Sequence, residues 1–314
     1  MAIRKTVFKT RAEWLAYRNQ HFVIGGSNIG IILGLSNHKT PLQLWLEWKN
    51  RDAQPIKESM YRGRFMEDGI AHWFQQQTGL KVVGRSKEIA VFHNDEYPDY
   101  IQVAPDREIF KEGTNLSGRP FLEIKDTAMY VDFDVQETIP SEWFLQCQFE
   151  AEIGGRPGTY LAVNDGSKSL KSRLILPDRD YVRKCIEMAC AWYERHIIGG
   201  EQPEPINGDD VQLLHPESTA GIIKVGHEVS QMHEQAMIYK RNANEAAKKY
   251  EEIKAKMSAL FDERDTLAYE GRALATYRTI HQRRFDLAKF SEDHPDLAKE
   301  YTTISAYRKF DIKK

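Results

Sequence analysis

Pro120-Phe121-Leu122-Glu123-Ile124-Lys125-Asp126-Thr127, reached from Pro105-Asp106, is the stretch of this 314-residue chain whose reading decides its fold. Side chains alternate along a strand, so Phe121, Glu123 and Lys125 share one face while Leu122 and Ile124 point to the other, where they can enter a core. One face therefore sets a carboxylate beside an ammonium. Asp106 follows the apolar run Tyr100-Ile101-Gln102-Val103-Ala104, and Gly113, Asn115, Ser117 and Gly118 supply turn residues that would return the chain antiparallel beside that run. Asp106 and Glu123 would then meet. Two carboxylates and a lysine suit phosphodiester hydrolysis: hard oxygen ligands select Mg2+ or Mn2+, and the Lys125 ammonium orients water or offsets charge on the phosphate. On these residues alone a solvated strand edge is the better reading, because Glu-x-Lys on a strand is common by chance.

The order of the surrounding motifs reverses that balance. Ile24-Gly25-Gly26-Ser27-Asn28-Ile29-Gly30-Ile31-Ile32-Leu33-Gly34, followed by Thr40-Pro41-Leu42-Gln43-Leu44-Trp45, resembles the opening of the YqaJ-type viral recombinase family, relatives of lambda exonuclease in the PD-(D/E)XK nuclease superfamily. The match continues in order through Gly63-Arg64-Phe65-Met66-Glu67-Asp68-Gly69, Thr78-Gly79, Ala104-Pro105-Asp106, Glu123-Ile124-Lys125, Gln146-Cys147-Gln148 and Gly154-Gly155. It covers roughly the first two thirds of the chain and leaves the C-terminal extension outside. One departure is Arg107, since the family usually places Gly or another small residue after its catalytic Asp. The resemblance implies a catalytic set of Glu67, Asp106, Glu123, Lys125 and Gln148, with Mg2+ (or Mn2+ in its place) on Asp106, Glu123 and Ile124. It also implies a pocket for a 5′ phosphate at Arg18 and Ser27. The activity implied is exonucleolytic, 5′ to 3′ on double-stranded DNA ends, in phage-type recombination, with a single-strand annealing protein as partner and a homo-oligomer as the assembly. The alternatives are a structure-specific or restriction-like endonuclease using the same site, and a catalytically inactive DNA-binding or assembly protein.

Position by position, the residues agree with these roles to different degrees. Glu67 shares a helical stripe with Ile70, Ala71 and Phe74, so it faces inward and needs a cation; an arginine is the alternative to Lys125 or a metal-bound water. In a helix from Ser141, Gln148 aligns with Phe144, Leu145 and Ala151, whereas Gln146 is turned about 200° away, which favours Gln148 as the site amide. Thr10-Arg11-Ala12-Glu13 reads as a capping box opening a helix with Trp14, Leu15, Tyr17 and Arg18, and Ser27 as the cap of the next helix. No Gly-Lys-Ser/Thr follows Gly25-Gly26-Ser27, so ATP binding is not indicated.

Composition bounds the rest. The chain is 41% hydrophobic with no apolar run long enough to span a membrane and no hydrophobic signal region after Met1. Cys147, Cys185 and Cys190 are odd in number and form no CxxC, which predicts a reducing cytoplasm and no iron-sulfur cluster. Asn115-Leu116-Ser117 matches a glycosylation sequon but reads as a turn. Net charge is −2, yet residues 271–314 hold ten Lys and Arg against six Asp and Glu, so the acidity lies earlier in the chain. In that tail Arg278, Arg283, Arg284, Arg308 and Lys309 interleave with Tyr277, Phe285, Tyr307 and Phe310, a pattern that fits DNA contact and a solvated hairpin face equally well.

The fold class expected is α/β: a mixed central sheet flanked by helices over residues 1–205, then a long helix over 222–268 and a small basic α+β tail over 271–314. Helices are predicted near 11–18, 41–49, 65–78, 141–153 and 180–197. Strands are predicted near 88–93, 100–104, 121–126, 159–163 and 172–176, with Asn164-Asp165-Gly166 as the turn between the last two. Val225, Val229, Met232, Ala236, Tyr239, Ala243, Ala246, Tyr250, Ile253, Met257 and Leu260 alternate steps of four and three, a heptad seam expected to pack against protein from about Ile222 to Leu260.

Overall fold

The computed structural model describes residues 2–50, 58–84, 88–110, 112–113, 118–134, 139–304 and 307–313, with 59 and 60 described in backbone only. Asn115 and Ser117, and with them the sequon, lie outside the described residues. The chain divides into two compact units, Met1–Asp210 and Val211–Lys314.

The first unit is built on a five-stranded mixed sheet of order β2-β4-β5-β6-β7, formed by β2 (Lys81–Val83), β4 (Arg107–Phe110), β5 (Phe121–Asp126), β6 (Thr159–Asn164) and β7 (Lys171–Ile175). β5 is central and reads as predicted, with Phe121, Leu122, Glu123 and Ile124 buried. It pairs with β6 in parallel, Glu123 opposite Leu161 and Lys125 opposite Val163. Parallel neighbours need a crossover, and α5 (Ser141–Ile153) supplies it. The Leu122 and Ile124 face packs on α4 (Glu58–Thr78) through Ile70, Ala71 and Phe74. Phe121 joins Ile29, Leu145, Phe149, Ile153, Val182 and Ile186, contributed by α2 (Gly26–Ile32), α5 and α6 (Arg179–Tyr193). Gly154, just past α5, is required here, because a Cβ would stand 2.2 Å from the Phe121 ring.

Several elements differ from expectation. Residues 100–104 form no strand; Ile101 and Val103 make only isolated bridges, to Ile24 and Phe92. The strand beside β5 begins at Arg107, with Arg107 opposite Leu122 and Glu108 opposite Phe121, so Asp106 immediately precedes it. Tyr100–Ala104 was attractive as a strand because it is apolar, but its burial comes from packing in the core rather than from a ladder. β1 (Ile3–Phe8), unforeseen because four of its six residues are exposed, pairs antiparallel with β3 (Ile89–Asn94). Thr10 caps α1 (Arg11–Gln20) by accepting from Glu13 N at 3.2 Å, but Glu13 Oε2 accepts from Lys9 N rather than Thr10 N. Before α3 (Pro41–Asn50), Thr40 and Gln43 do exchange both capping bonds, at 3.1 and 3.2 Å.

In the second unit α7 (Gly208–Leu214) begins across the division, and α8 (His227–Ser258) is one helix of 32 residues. Ile222 and Ile223 are not helical, and no residue of α8 is buried within the single chain: Val229, Met232, Tyr239, Tyr250 and Ile253 of its seam are exposed. The hairpin of β8 (Thr266–Tyr269) and β9 (Arg272–Thr276) follows, turned at Gly271 (φ 78°), then the short helices α9 (Leu287–Asp293) and α10 (Pro295–Glu300).

Candidate active site

One cleft of about 240 Å³ gathers most of the predicted residues: Arg18, Ser27, Glu67, Asp106, Glu123 and Lys125 all line it. Gln146 and Glu150 line it too, and Gln148 does not. The ladder explains the arrangement. Glu123 and Lys125 leave β5 on the α5 side, two residues apart, and Lys125 Nζ donates to Glu123 Oε1 at 2.8 Å. Asp106 stands where β4 stops pairing with β5; its Oδ2 accepts from the now unpaired Ile124 N at 2.8 Å. N–H and C=O of one strand residue point to the same side, so the Ile124 carbonyl is directed toward Asp106 as well.

The amide of this site is Gln146, which corrects the assignment of Gln148. Gln146 Oε1 accepts from Lys125 Nζ at 2.9 Å, and its Nε2 donates to Glu123 Oε1 at 2.7 Å and to Glu150 Oε1 at 2.9 Å. Gln148 Oε1 instead accepts from Asp178 N at 2.9 Å, holding the start of α6. The apolar stripe misled because α5 is buried on almost every side from Leu145 to Ile153, so no single stripe marks the face toward the sheet. Glu150, missed in the sequence, is fully buried one turn beyond Gln146, and its Oε2 has no hydrogen-bond partner among the described residues. The sequence carries no signal that singles it out, because Gln148 and Glu152 repeat the spacing of Gln146 and Glu150 on the same helix. Gly26 makes room for this pair, since a Cβ there would lie 2.6 Å from Glu150 Oε1 and 2.9 Å from Gln146 Cγ.

Glu67 finds an arginine rather than Lys125. Arg107 Nη1 donates to Glu67 Oε1, and Nη2 to Asp68 Oδ1 at 2.6 Å. The residue that departs from the family pattern thus neutralises the carboxylate of α4. At the other end of the cleft, Ser27 is exposed in the first turn of α2 but does not cap it. Asn28 does, its Oδ1 accepting from Gly25 N at 2.6 Å. Arg18 is half-buried, its guanidinium 5.8 Å from the centroid of the Trp14 ring.

Crowding of carboxylates sets the electrostatics. Burial raises Asp106 well above the ordinary aspartate range, and the charges of Glu123 and Glu67 raise it further. Burial raises Glu150 in the same way, with Glu123 adding to it. Burial would lower Lys125, but Glu123, Asp106 and Glu150 outweigh it and hold the ammonium protonated. Such a site favours an added cation. Among the described residues no three His, Cys, Asp or Glu are grouped to hold a metal. Four carboxylates line one branch of the cleft together with Ile124; Arg107 engages Glu67 and Arg62 engages Asp126, whereas nothing among the described residues donates to Asp106 Oδ1 or Glu123 Oε2. Oxygen donors of this kind fit a hard divalent cation.

Carboxylates and one lysine thus gather where the mixed sheet's central strand loses its neighbour. Residues 13–157 match the model of the YqaJ-like viral recombinase domain, and that stretch contains every site residue named above. The uncharacterized protein YqaJ of Bacillus subtilis (strain 168) is 25% identical over 318 residues, 97% of this chain and 94% of that protein. The likeness therefore extends into the second unit. Among solved structures, the alkaline exonuclease LHK-Exo of Laribacter hongkongensis is similar over 60% of this chain and 93% of its own, at 16% identity and a TM-score of 0.46. LHK-Exo in complex with dAMP is similar at 14% identity and a TM-score of 0.45, over 60% and 93%. Among the described residues no helix is long and apolar enough to cross a membrane.

Proposed function

We propose that this protein is a DNA exonuclease that requires Mg2+, accepts Mn2+ in its place, and degrades double-stranded ends 5′ to 3′, supplying single strands to an annealing protein during recombination. The observation that carries the reading is Lys125, fixed at 2.8 Å from Glu123 and 2.9 Å from Gln146 in the cleft that also holds Asp106. Asp106, Glu123 and the Ile124 carbonyl would hold the metal, which when bound polarises the scissile phosphate and acidifies water. Lys125 is kept protonated by its carboxylate neighbours, so it acts as a donor: it orients the attacking water or meets charge developing on a phosphate oxygen. Gln146 fixes the Lys125 ammonium, and Glu150 fixes Gln146. Arg18 and the Ser27 hydroxyl receive the terminal 5′ phosphate, a charge-assisted contact that a hydroxyl end cannot make.

The test is to incubate a covalently closed circle and an end-labelled linear duplex with Mg2+. Loss of the linear molecule alone, with label released from its 5′ end and no reaction in EDTA, is the result expected. Cutting of the circle would make the protein an endonuclease; inertness toward both would leave a DNA-binding or assembly role.

A further inference from the structure

Helix α1 presents Arg11, Trp14 and Arg18 at i, i+3 and i+7, a single stripe in which Trp14 is buried, Arg18 half-buried and Arg11 exposed at the mouth of the cleft. The two arginines are two turns apart, about 10 Å along the axis. Arg18 belongs to the end of the cleft with Ser27, but Arg11 also borders a second branch, lined by Arg64, Glu67, Asp106, Glu123, Ile124 and Asp126, in which neither Arg18 nor Ser27 takes part. Arg64 reaches it from α4, three residues before Glu67. Every other charge in that branch is engaged: Arg107 holds Glu67, Ile124 N holds Asp106, Lys125 and Gln146 hold Glu123, and Arg62 holds Asp126 at 2.9 Å. Arg11 and Arg64 make no hydrogen bond or ion pair with any described residue. Burial and the Arg64 charge disfavour the Arg11 cation more than Glu67 and Asp106 favour it, and burial and Arg11 disfavour that of Arg18. Guanidinium groups held within each other's field, with no hydrogen-bonded anion of their own, gain from an anion that enters between them.

We propose that Arg11 and Arg64 form a second phosphate subsite, which takes an internal phosphodiester of the DNA strand beside the Asp106–Glu123 centre and is separate from the terminal-phosphate site of Arg18 and Ser27. The inference rests on the nuclease reading. An internal diester fits because this branch adjoins the hydrolytic residues, where the strand continues past its end, and because the planar forks of two arginines match two non-bridging oxygens. The subsite is indifferent to sequence and to end chemistry, since every internal phosphate is alike.

The experiment measures binding of the full chain, carrying Glu123→Gln to stop cleavage, to a short blunt duplex with either a 5′ phosphate or a 5′ hydroxyl, across a salt series. Arg11→Ala with Arg64→Ala is expected to weaken both duplexes by the same factor, on the order of 10². It should reduce the slope of log affinity against log salt by about 1.8, two phosphate contacts' worth. Arg18→Ala in the same background should instead abolish the difference between the two ends. Arg11→Lys with Arg64→Lys should restore the slope, because charge is kept, which separates loss of the subsite from misfolding. An unchanged slope in the Ala pair, with the Arg18 effect intact, overturns the subsite and leaves the nuclease reading standing. If the parent protein binds neither duplex, that reading fails and takes the subsite with it.

Discussion

Lys125 Nζ lies 2.9 Å from Gln146 Oε1, and the same amide's Nε2 donates to Glu123 Oε1 at 2.7 Å, so one glutamine on the crossover helix grips both charged residues on that face of the central strand. Lysine has four rotatable bonds and pays heavily in entropy to be held. Here two acceptors converge on its ammonium, from its own strand and from α5, which fixes its direction into the cleft. The neutral amide does this without adding a charge to a site where carboxylates already repel one another.

The first prediction separates the two glutamines. Gln146→Leu should lower single-turnover cleavage of a phosphorylated duplex by about 10²-fold, because a misplacement of the order of 1 Å at the reacting groups carries that cost. Gln148→Leu, which loses only the contact to Asp178 N, should stay within a few-fold of the unmodified protein. A larger loss from Gln148→Leu would return the assignment to that residue.

The contrast shows where the sequence was legible. β5 could be read to its ends, because alternation on a central strand assigns Glu123 and Lys125 to one face and Leu122 and Ile124 to the other, and the packing follows that division. The identity of the site amide could not be read from α5, since a helix buried all round carries no stripe. Arg107 was visible only as a departure from a pattern; its pairing with Glu67 and Asp68 joins residues about 40 positions apart, and nothing local encodes it. Likewise the heptad pattern of α8 specifies a helix but not what covers its seam.

Arg18 gives the second prediction. The unmodified protein should degrade 5′-phosphorylated ends faster than hydroxyl ends, and Arg18→Ala should remove the preference, a loss of about 1.5–3 kcal/mol or roughly 10- to 150-fold. Paired degradation assays on the two ends measure it directly. Equal rates for both ends in the unmodified protein would make Arg18 a packing partner of Trp14 only.

Arg107 and Glu67 form the third. Arg107→Met should destabilise the fold by about 2–4 kcal/mol, at the lower side of the cost of breaking a buried pair because Glu67 keeps partial exposure. Burial already raises the Glu67 carboxyl against the pull of Arg107, and without the arginine it should rise further. A carboxyl whose folded value lies above its unfolded one loses stability as pH climbs from the unfolded to the folded value. Urea denaturation should therefore show a larger deficit for Arg107→Met at pH 8 than at pH 5, and adding Glu67→Gln should shrink the deficit at pH 8. A deficit independent of pH would mean that Arg107 acts through packing alone.

Asp165 is a matching case of opposite sign, away from the cleft. Its buried carboxylate accepts from Lys171 Nζ at 2.8 Å, Val131 N at 3.1 Å and Ser167 N at 3.1 Å, tying the loop between β6 and β7 to the segment at Val131. Burial would raise this carboxyl, but the bonds from Lys171, Ser167 and Val131 outweigh it and hold it well below the ordinary aspartate range. A depressed folded value contributes stability that is complete above the unfolded value and disappears as pH falls through the folded one. Asp165→Asn, which keeps the shape but cannot carry the charge, should lower the thermal midpoint at pH 7. The gap to the unmodified protein should hold constant down to about pH 4, where unfolded aspartates begin to protonate, and narrow steadily below it. Thermal melts followed by circular dichroism at a series of pH values measure the gap; one that widens on acidification would show that the carboxylate is not held in its charged form by these donors.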